Sequence, residues 1–449
     1  MAGAESSPLL ASRADLVDAM ARGAKPRSEW RVGTEHEKHV FRRAPLRPVP
    51  YDGDDGVAAL LEGIRQRTGW HYFYDAGAPI GLRNLGPVGG ISLEPGGQFE
   101  LSGAPQETVH GAAAELRDHL ADCHAVGEAL NIRFLGLGVT PLWGVAELPR
   151  MPKSRYGIMT PYMERVGTLG TSMMYRSATV QANLDFSDEA DMVAKLRVSL
   201  ALQPVVTALF ANSPFVDGKP SGYLSFRSHI WEHTDAARTG MLPFVFADGF
   251  GFERYAEHAL DVPMYFVIRD NRYVNVAGES FRAFLDGKLP QLPGERPTKK
   301  DWEDHLSTLF PEVRLKQFLE MRGADMGDVA HVLALPALFV GLLYDAAALT
   351  AATALIRDWT VEEMAALRAA VPRTALATPF RDRTVGAVAR EMLAIARAGL
   401  LSRGHGEETY LAPLDETLAR GKTPAERWLD KYHGEWGGDV TRIFDEAEI

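Results

Sequence analysis

Alternation of apolar and polar residues is the clearest pattern along this chain. In T-V-Q-A-N-L-D-F, residues 179–186, Val180 and Leu184 fall on one side of an extended backbone, whereas Gln181 and Asn183 fall on the other. The same two-residue period recurs in three further segments: 31–41, 91–102 and 312–322. An antiparallel sheet with one apolar and one polar face has this pattern, so the segments predict strands of such a sheet.

The hydrophobic patterns of the other segments predict further strands and several helices, which together indicate an α+β fold. Further extended segments are predicted at 70–74, 132–139, 173–186, 225–231, 262–268 and 272–276, with a turn at 86–90 and a loop-rich stretch at 151–163. Helical spacing predicts helices at 8–22, 54–67, 104–130, 189–210, 328–346, 346–357, 360–370, 384–402 and 424–433. Strands come first and helices last, which predicts a mainly antiparallel sheet flanked by helices.

No composition shift marks a linker between independent domains. We therefore expect one large domain over 1–449, with an N-terminal helical segment at 1–28 and a mostly helical portion at 328–449 packed on the sheet.

Composition narrows the classes of function. The chain has 449 residues, of which 46% are hydrophobic and 24% charged, as in ordinary globular proteins. A net charge of -11 argues against nucleic-acid and anionic-membrane partners, because phosphate binding requires concentrated positive charge. The apolar run at 332–344 is too short to span a bilayer.

Cysteine content and the N-terminal residues bear on location. Cys123 is the one cysteine, so an internal disulfide is excluded. The first residues have no apolar signal-peptide core, and Asp15 and Asp18 are unusual for a transit peptide. We therefore expect a cytoplasmic protein in a reducing environment.

Candidate chemistry begins in R-V-G-T-E-H-E-K-H-V-F, residues 31–41. Glu35 and Glu37 are two residues apart and would point to the same face of a strand. Like charges at that spacing repel each other unless they are solvated or joined by a cation, and divalent cations with hard oxygen ligands suit such a site.

If the alternating strands share one sheet, their polar residues fall on one face. That face would carry Glu35, Glu37, Glu94, Gln98, Glu100, Gln181, Asn183 and Glu320. It could hold two or three Mg²⁺ ions that also bind nucleotide phosphates. The alternative is an ordinary water-facing sheet surface. The predominance of acids and amides, with almost no Lys or Thr, favours the metal site.

Basic residues that could pair with a carboxylate or phosphate lie in other segments, at Lys153, Arg155, Arg227 and Arg238. Structural ion pairs are the alternative for each of them. The chain has no Walker-type phosphate loop and no complete dinucleotide fingerprint, so any nucleotide binding would depend on metal ions. His229 is more simply explained as a structural histidine.

Several motifs in order resemble plant-type glutamate–cysteine ligase, a family shared by plants and many proteobacteria. They include T-E-H-E-K, E-P-G-G-Q-F-E-L-S-G, M-P-K-S-R-Y, T-V-Q-A-N-L-D-F, R-S-H-I-W, R-T-G-M-L-P-F-V-F, F-P-E-V-R-L-K, L-E-M-R-G-A-D and Y-H-G-E-W-G-G, from about residue 29 to 445. The resemblance implies the curved antiparallel sheet of the glutamine synthetase and carboxylate–amine ligase superfamily, with an acidic active-site face.

The resemblance also implies roles for individual residues. Metal ligands would be Glu35, Glu37, Glu94, Glu100 and Glu320, with Glu35 and Arg322 catalytic. Gln181, Asn183 and Arg322 would lie on the cofactor side, and the substrate would be bound by Arg155, Arg238, Lys153 and Met159. The cofactors would be ATP and Mg²⁺.

The implied reaction joins L-glutamate to L-cysteine, the first step of glutathione synthesis. The γ-carboxylate of glutamate would attack ATP to give γ-glutamyl phosphate, and the cysteine amine would then displace phosphate. Alternatives are a related ligase with another amine acceptor, a phosphotransferase of the related guanidino-kinase architecture, and an inactive glutamate or nucleotide sensor. Feedback binding of glutathione, and a monomer or homodimer, are further expectations.

Redox regulation is not transferred from the resemblance. Plant members carry cysteine pairs proposed to act as a switch, whereas Val276 stands where one such cysteine is expected. With Cys123 alone, an intramolecular disulfide switch is excluded.

Overall fold

The computed structural model describes residues 7–86 and 89–449. Its strands are β1 (Val32–Arg43), β2 (Leu46–Pro48), β3 (His71–Asp75), β4 (Ala78–Arg83), β5 (Gly90–Leu93), β6 (Phe99–Ser102), β7 (Arg133–Leu135), β8 (Thr179–Leu184), β9 (Phe215–Val216), β10 (Lys219–Pro220), β11 (Thr239–Gly240), β12 (Phe266–Arg269), β13 (Arg272–Asn275), β14 (Phe310–Pro311), β15 (Val313–Leu315), β16 (Leu319–Asp325), β17 (Pro379–Phe380) and β18 (Arg383–Thr384).

The α-helices of the same part of the chain are α1 (Arg13–Ala21), α2 (Val57–Thr68), α3 (Val109–Leu130), α4 (Ser154–Val166), α5 (Gly170–Arg176), α6 (Glu189–Leu209), α7 (Phe226–Glu232), α8 (Phe252–Asp261), α9 (Phe281–Leu285), α10 (Lys299–Ser307), α11 (Val329–Leu343), α12 (Ala346–Ile356), α13 (Val361–Thr374), α14 (Val385–Arg403), α15 (Ala412–Arg420), α16 (Pro424–His433) and α17 (Ile443–Glu446).

One ten-stranded sheet organises the molecule. Its main path runs β15-β16-β8-β1-β6-β5-β4-β3, with β2 and β7 also paired to β1, and every pairing in it is antiparallel. The predicted mainly antiparallel sheet is confirmed. The strands that carry the candidate acids are neighbours, with β1 between β6 and β8.

The buried face of the sheet packs against helices α3, α6 and α11. Val180, Ala182 and Leu184 of β8 and Phe99 and Leu101 of β6 are buried there, as the alternation predicts. The opposite face of these strands is therefore left to the polar residues, and it forms the floor of a cavity.

Three local predictions are wrong. Residues 225–231 form helix α7 instead of an extended segment, because the Ser225 side chain accepts a hydrogen bond from the Ser228 amide and caps the helix. The predicted strand 173–186 begins with α5 and becomes extended only at Thr179. The loop-rich stretch 151–163 contains most of α4.

The start of α4 depends on a contact that is remote in sequence. The Asp75 carboxylate accepts hydrogen bonds from the Ser154 amide at 2.6 Å and the Ser154 hydroxyl at 2.7 Å. Asp75 thus satisfies an otherwise unpaired amide at the helix start. A partner 79 residues away leaves no signal in the local pattern.

The helical portion after 328 is present as α11 to α17, and α11 and α14 pack against each other. Parts of two predicted elements lie outside the described residues: the turn at 86–90 includes Pro87 and Val88, and the N-terminal segment 1–28 includes residues 1–6.

Among the described helices, α6 is long and apolar enough to cross a membrane by length and composition. However, 83% of its most apolar stretch is buried inside the protein, as expected for a core helix.

Candidate active site

The register of β1 brings the candidate carboxylates together. Glu37 is directly opposite Glu100 of β6, and Glu35 lies between Gln181 of β8 and Ser102 of β6. These side chains line a cavity of about 430 Å³. The turn that follows β5 adds Glu94, whose amide donates to the Gln98 carbonyl at 2.9 Å. Four carboxylates therefore face one cavity.

Three of these carboxylates, Glu35, Glu37 and Glu100, receive hydrogen bonds from a few protein donors. The Asn183 amide group donates to Glu35 at 2.9 Å, and the Thr179 backbone amide donates to Glu37 at 3.1 Å. The Ser92 hydroxyl donates to Glu100 at 2.9 Å. Each of these donors is neutral, so they orient the carboxylates without cancelling their charge.

Burial and repulsion from neighbouring carboxylates disfavour ionisation of Glu37 and Glu100. Burial, followed by the charge of Glu94, raises the pKa of Glu37 from 4.5 to about 8. Burial, with the charges of Glu94 and Glu35, raises the pKa of Glu100 well above its usual value. A bound cation would offset the free-energy cost of ionising these buried carboxyl groups, so the site is suited to a divalent metal.

The raised pKa of Glu37 predicts a pH-dependent stability in the presence of EDTA. Between pH 4.5 and about 8 the folded protein keeps a proton that the unfolded chain releases, so stability falls as the pH rises. Compared with Glu37→Gln, the wild type should lose on the order of 3–4 kcal/mol between pH 5 and pH 8. Urea unfolding of both proteins at several pH values measures this difference. A constant difference across that range would contradict the prediction.

Cations of the α4 segment form one wall of the cavity. Lys153 Nζ lies 3.5 Å and Arg155 Nη2 lies 3.7 Å from Glu94 Oε1. Lys153 also donates to the Ser92 hydroxyl at 3.2 Å, and burial lowers its pKa to about 8. Both residues line the cavity beside the acidic floor, and their substrate-binding role stays a prediction.

A second group of cations forms the opposite wall. It consists of Arg227, Arg314, Lys316 and Arg322, all of which line the cavity. Arg322 Nη1 donates to Gln181 Oε1 at 2.7 Å, and Arg227 Nη2 donates to the Arg322 carbonyl at 2.9 Å. The acidic floor thus lies between two cationic walls, an arrangement that suits metal ions on the floor and anionic groups beside it.

Sequence reasoning did not assign Arg314 and Lys316 to the site. The signal was present, because the R-L-K spacing puts both residues on one side of an extended chain. Arg314 pairs across the hairpin with Glu320, and that register places both side chains on the polar face of the sheet.

Glu320 does not lie where a metal ligand is needed. Its side chain is fully buried, and Arg314 holds it through two hydrogen bonds of 2.9 and 2.8 Å. Lys316 lies at 3.2 Å and Arg322 also contacts it. Although burial opposes ionisation, Arg314 and the two other cations hold the pKa of Glu320 well below its usual range. The structure therefore places Glu320 as the counter-charge of the second wall, and the predicted ligand role is corrected.

The predicted role of Arg238 in substrate binding is also corrected. Its side chain has no exposed surface, and its Nε donates to Asp235 at 2.6 Å. The other nitrogens donate to the carbonyls of Thr308 and Pro263, and the guanidinium lies 3.8 Å from the Tyr265 ring centre. Protein groups therefore occupy the guanidinium and leave no free edge for a substrate carboxylate.

The remaining predicted residues have different placements. Gln181 and Met159 line the cavity, whereas Asn183 contacts it only through Glu35. Met159 belongs to an apolar part of the lining with Phe73, Tyr156, Met173, Met174, Trp231, Phe266 and Phe310. Sequence reasoning missed all of these residues except Met159, because most of them come from helices that strand alternation does not describe.

A wider groove of about 1200 Å³ lies between α6, α8 and α12. Two of its acids are engaged in structural hydrogen bonds: Asp188 caps α6, and Glu189 accepts from the Phe252 amide at 2.7 Å. The smaller cavity on the sheet is the one in which four carboxylates converge.

Comparison with known proteins gives close relatives. Residues 31–446 match the model of a family described as glutamate–cysteine ligase family 2. The chloroplastic glutamate–cysteine ligase of Arabidopsis thaliana is 54% identical over 97% of this chain and 82% of its own length. That of Solanum lycopersicum is 53% identical with the same coverage of both chains.

A solved structure has a similar fold. The glutamate–cysteine ligase of Francisella tularensis, determined in complex with AMP, gives a TM-score of 0.53 at 12% identity and covers 93% of this chain and 87% of its own. At this identity the likeness concerns the fold alone, and it confirms the α+β ligase-type fold.

The expected cytoplasmic location is contradicted by the relatives. The enzymes of Arabidopsis thaliana, Solanum lycopersicum and Oryza sativa are named as chloroplastic. The sequence argument failed because a single cysteine constrains only disulfide chemistry, which does not distinguish one reducing compartment from another.

Proposed function

Because the chain belongs to glutamate–cysteine ligase family 2, we propose that it joins L-glutamate to L-cysteine with ATP, giving γ-glutamylcysteine, ADP and phosphate. This reaction is the first step of glutathione synthesis. One observation supports the assignment of this function to particular residues: four carboxylates converge between two cationic walls in one cavity.

The donor set fits Mg²⁺. Glu35, Glu37, Glu94 and Glu100 supply hard oxygen atoms, and the raised pKa values of Glu37 and Glu100 indicate that the protein alone does not stabilise their ionised forms, as a bound cation would. These four residues, with Gln181 beside them, would hold the metal. When bound, Mg²⁺ would neutralise phosphate charge and orient the nucleotide.

The second wall is suited to the transferred phosphoryl group. Arg322, Arg227 and Lys316 present positive charge to the cavity, and their placement supports contacts with the oxygens that gain charge during transfer. The γ-carboxylate of glutamate attacks the γ-phosphorus of ATP, and ADP leaves. Glutamate is thereby activated as γ-glutamyl phosphate, with phosphate as the next leaving group.

Glutamate recognition is assigned to the first wall. Arg155 and Lys153 line the cavity next to Glu94, within reach of a substrate carboxylate. Arg238 is not part of this assignment, because its nitrogens are already bonded to protein groups. The apolar lining around Met159 would restrict water near the acyl phosphate while the cysteine amine attacks.

The test of the function is ADP release by the purified protein with Mg²⁺, ATP and glutamate, with and without cysteine. We expect cysteine-dependent ADP release and a product with the mass of γ-glutamylcysteine. Glutamate-dependent release that a non-thiol amine such as 2-aminobutyrate supports better than cysteine would favour a related ligase. Absence of ADP under all conditions would favour the inactive sensor, and phosphorylation of an amine without an amide product would favour a phosphotransferase.

A further inference from the structure

Helix α7 presents different residues on its two sides. Arg227 and Trp231, one turn apart, line the active-site cavity. His229, Glu232 and His233 do not line it, and they lie on the side of the helix next to α13. The spacing of these three residues, H-I-W-E-H, puts them on neighbouring positions of one helical face.

The three side chains converge at the end of this helix. One potential ligand atom from each residue lies within 4.8 Å of the other two. His229 Nδ1 is 3.9 Å from Glu232 Oε2, and the two imidazole rings are 4.5 Å apart between centres. In a tetrahedral site with metal–ligand bonds of 2.0–2.1 Å, the ligand atoms lie about 3.3–3.5 Å from one another. His233 is exposed, so its ring can rotate to bring its nitrogen to that distance from the other two ligand atoms.

Neighbouring residues hold two of the three groups in place. Arg368 Nη1 lies 3.2 Å from Glu232 Oε1, which leaves Oε2 directed towards His229. The His229 ring stacks on Tyr223 with 4.1 Å between centres and 20° between planes. Outer contacts of this kind orient ligands in metal sites.

Two cations lie near the cluster, and each has other partners in the protein. Arg368 also pairs with Glu312 at 2.7 Å, so its charge is shared between two carboxylates. Arg373 donates to the Tyr223 hydroxyl and lies 3.9 Å from the Tyr223 ring centre. The charge of Arg368 is therefore compensated by two carboxylates, and Arg373 is held against the Tyr223 ring.

We propose that His229, Glu232 and His233 form a second metal site, which binds one divalent transition-metal cation of the Zn²⁺ class. Two imidazole nitrogens and one carboxylate oxygen are the donor set that such cations prefer, and two histidines four residues apart on a helix can bind one ion. The all-oxygen floor of the active site suits Mg²⁺ instead. The proposal is independent of the ligase reaction.

The experiment uses Co²⁺ as a spectroscopic probe of the full-length protein in excess Mg²⁺, which competes for the carboxylate floor. We expect one equivalent of Co²⁺ to bind with a visible absorption band typical of mixed nitrogen and oxygen ligation, and Zn²⁺ to displace it. His233→Ala should weaken binding by at least about tenfold, because one of the three protein ligands is removed. His405→Ala, another exposed histidine, should bind as the wild type does.

Two further variants distinguish Co²⁺ binding at the helix α7 cluster from binding at the carboxylate floor, and circular dichroism checks that each variant is folded. Glu232→Gln keeps a hydrogen-bond acceptor for Arg368 but removes the ligand charge, so it should also weaken Co²⁺ binding. Glu35→Gln alters only the carboxylate floor and should retain the Co²⁺ band. The proposal is overturned if His233→Ala and Glu232→Gln, each folded by circular dichroism, bind Co²⁺ within twofold of wild type, or if Glu35→Gln alone removes the band.

Discussion

Glu35→Gln is expected to lower the rate of γ-glutamylcysteine formation by about a hundredfold or more, with the fold intact. Glu35 lies on the central strand of the sheet and lines the cavity. Glutamine has nearly the same shape and can still accept the hydrogen bond from Asn183. The substitution therefore removes charge from the proposed Mg²⁺ site and little else.

The measurement compares ADP release and thermal unfolding of wild type and Glu35→Gln over a range of Mg²⁺ concentrations. If Glu35 binds the metal, the variant should need more Mg²⁺ for half-maximal activity. Glu115→Gln is a suitable control, since Glu115 accepts a hydrogen bond from the Ala104 amide and does not line this cavity. Wild-type turnover in Glu35→Gln would remove this residue from the proposed metal ligands.

Glu320→Gln is expected to act on stability, at a cost of about 3–5 kcal/mol. The carboxylate is fully buried and contacts Arg314, Lys316 and Arg322. A neutral amide would leave three neighbouring cations without their shared counter-charge. Because two of these cations are buried or nearly so, water can compensate them only in part.

Urea unfolding with Mg²⁺ absent measures this effect without interference from metal binding. Glu416→Gln, in an exposed pair with Arg420, is the matched control and should change stability by less than about 0.5 kcal/mol. If Glu320→Gln unfolds at the same urea concentration as wild type but needs more Mg²⁺ for activity, Glu320 would return to the metal ligands.

The local pattern of apolar and polar residues predicted most of the residues on the acidic floor of the cavity. The two-residue period identified the strands that carry Glu35, Glu37, Glu100 and Gln181, and the sheet holds these strands side by side. Alternation suffices here because a strand fixes the side to which each residue points, and burial of one face then leaves the other for polar groups.

Local pattern failed where a distant partner decides the conformation. Helix α4 was missed because Asp75 satisfies its first amide across the fold. The strand predicted at 225–231 is a helix, and its Ser225 hydroxyl also donates to Asp325, 100 residues away. Propensity is weak in such short segments, so tertiary contacts override it.

Residue type likewise could not distinguish acids that bind a metal ion from acids that pair with basic side chains of the protein. Glu35 and Glu320 are both acids on the polar face of the sheet, yet Glu35 lines the cavity and Glu320 is enclosed by three cations. Arg155 and Arg238 differ in the same way, since only Arg155 has a free approach to the cavity. Spatial neighbours decide each case: Arg314, Lys316 and Arg322 enclose Glu320, and the Thr308 and Pro263 carbonyls occupy Arg238.

The sequence by itself determined the sheet, its polar face, the acids on β1 and β6, and the family, because these depend on residue order and on the fixed two-residue period of a strand. Only the tertiary structure decided which charges remain unpaired. The pKa and binding capacity of a carboxylate depend on burial and on charges within a few ångströms. For Glu37 those charges come from Glu94, Arg227 and Arg322, far along the chain, whereas for Glu320 they come from Arg314, Lys316 and Arg322, which the β15–β16 hairpin brings to it.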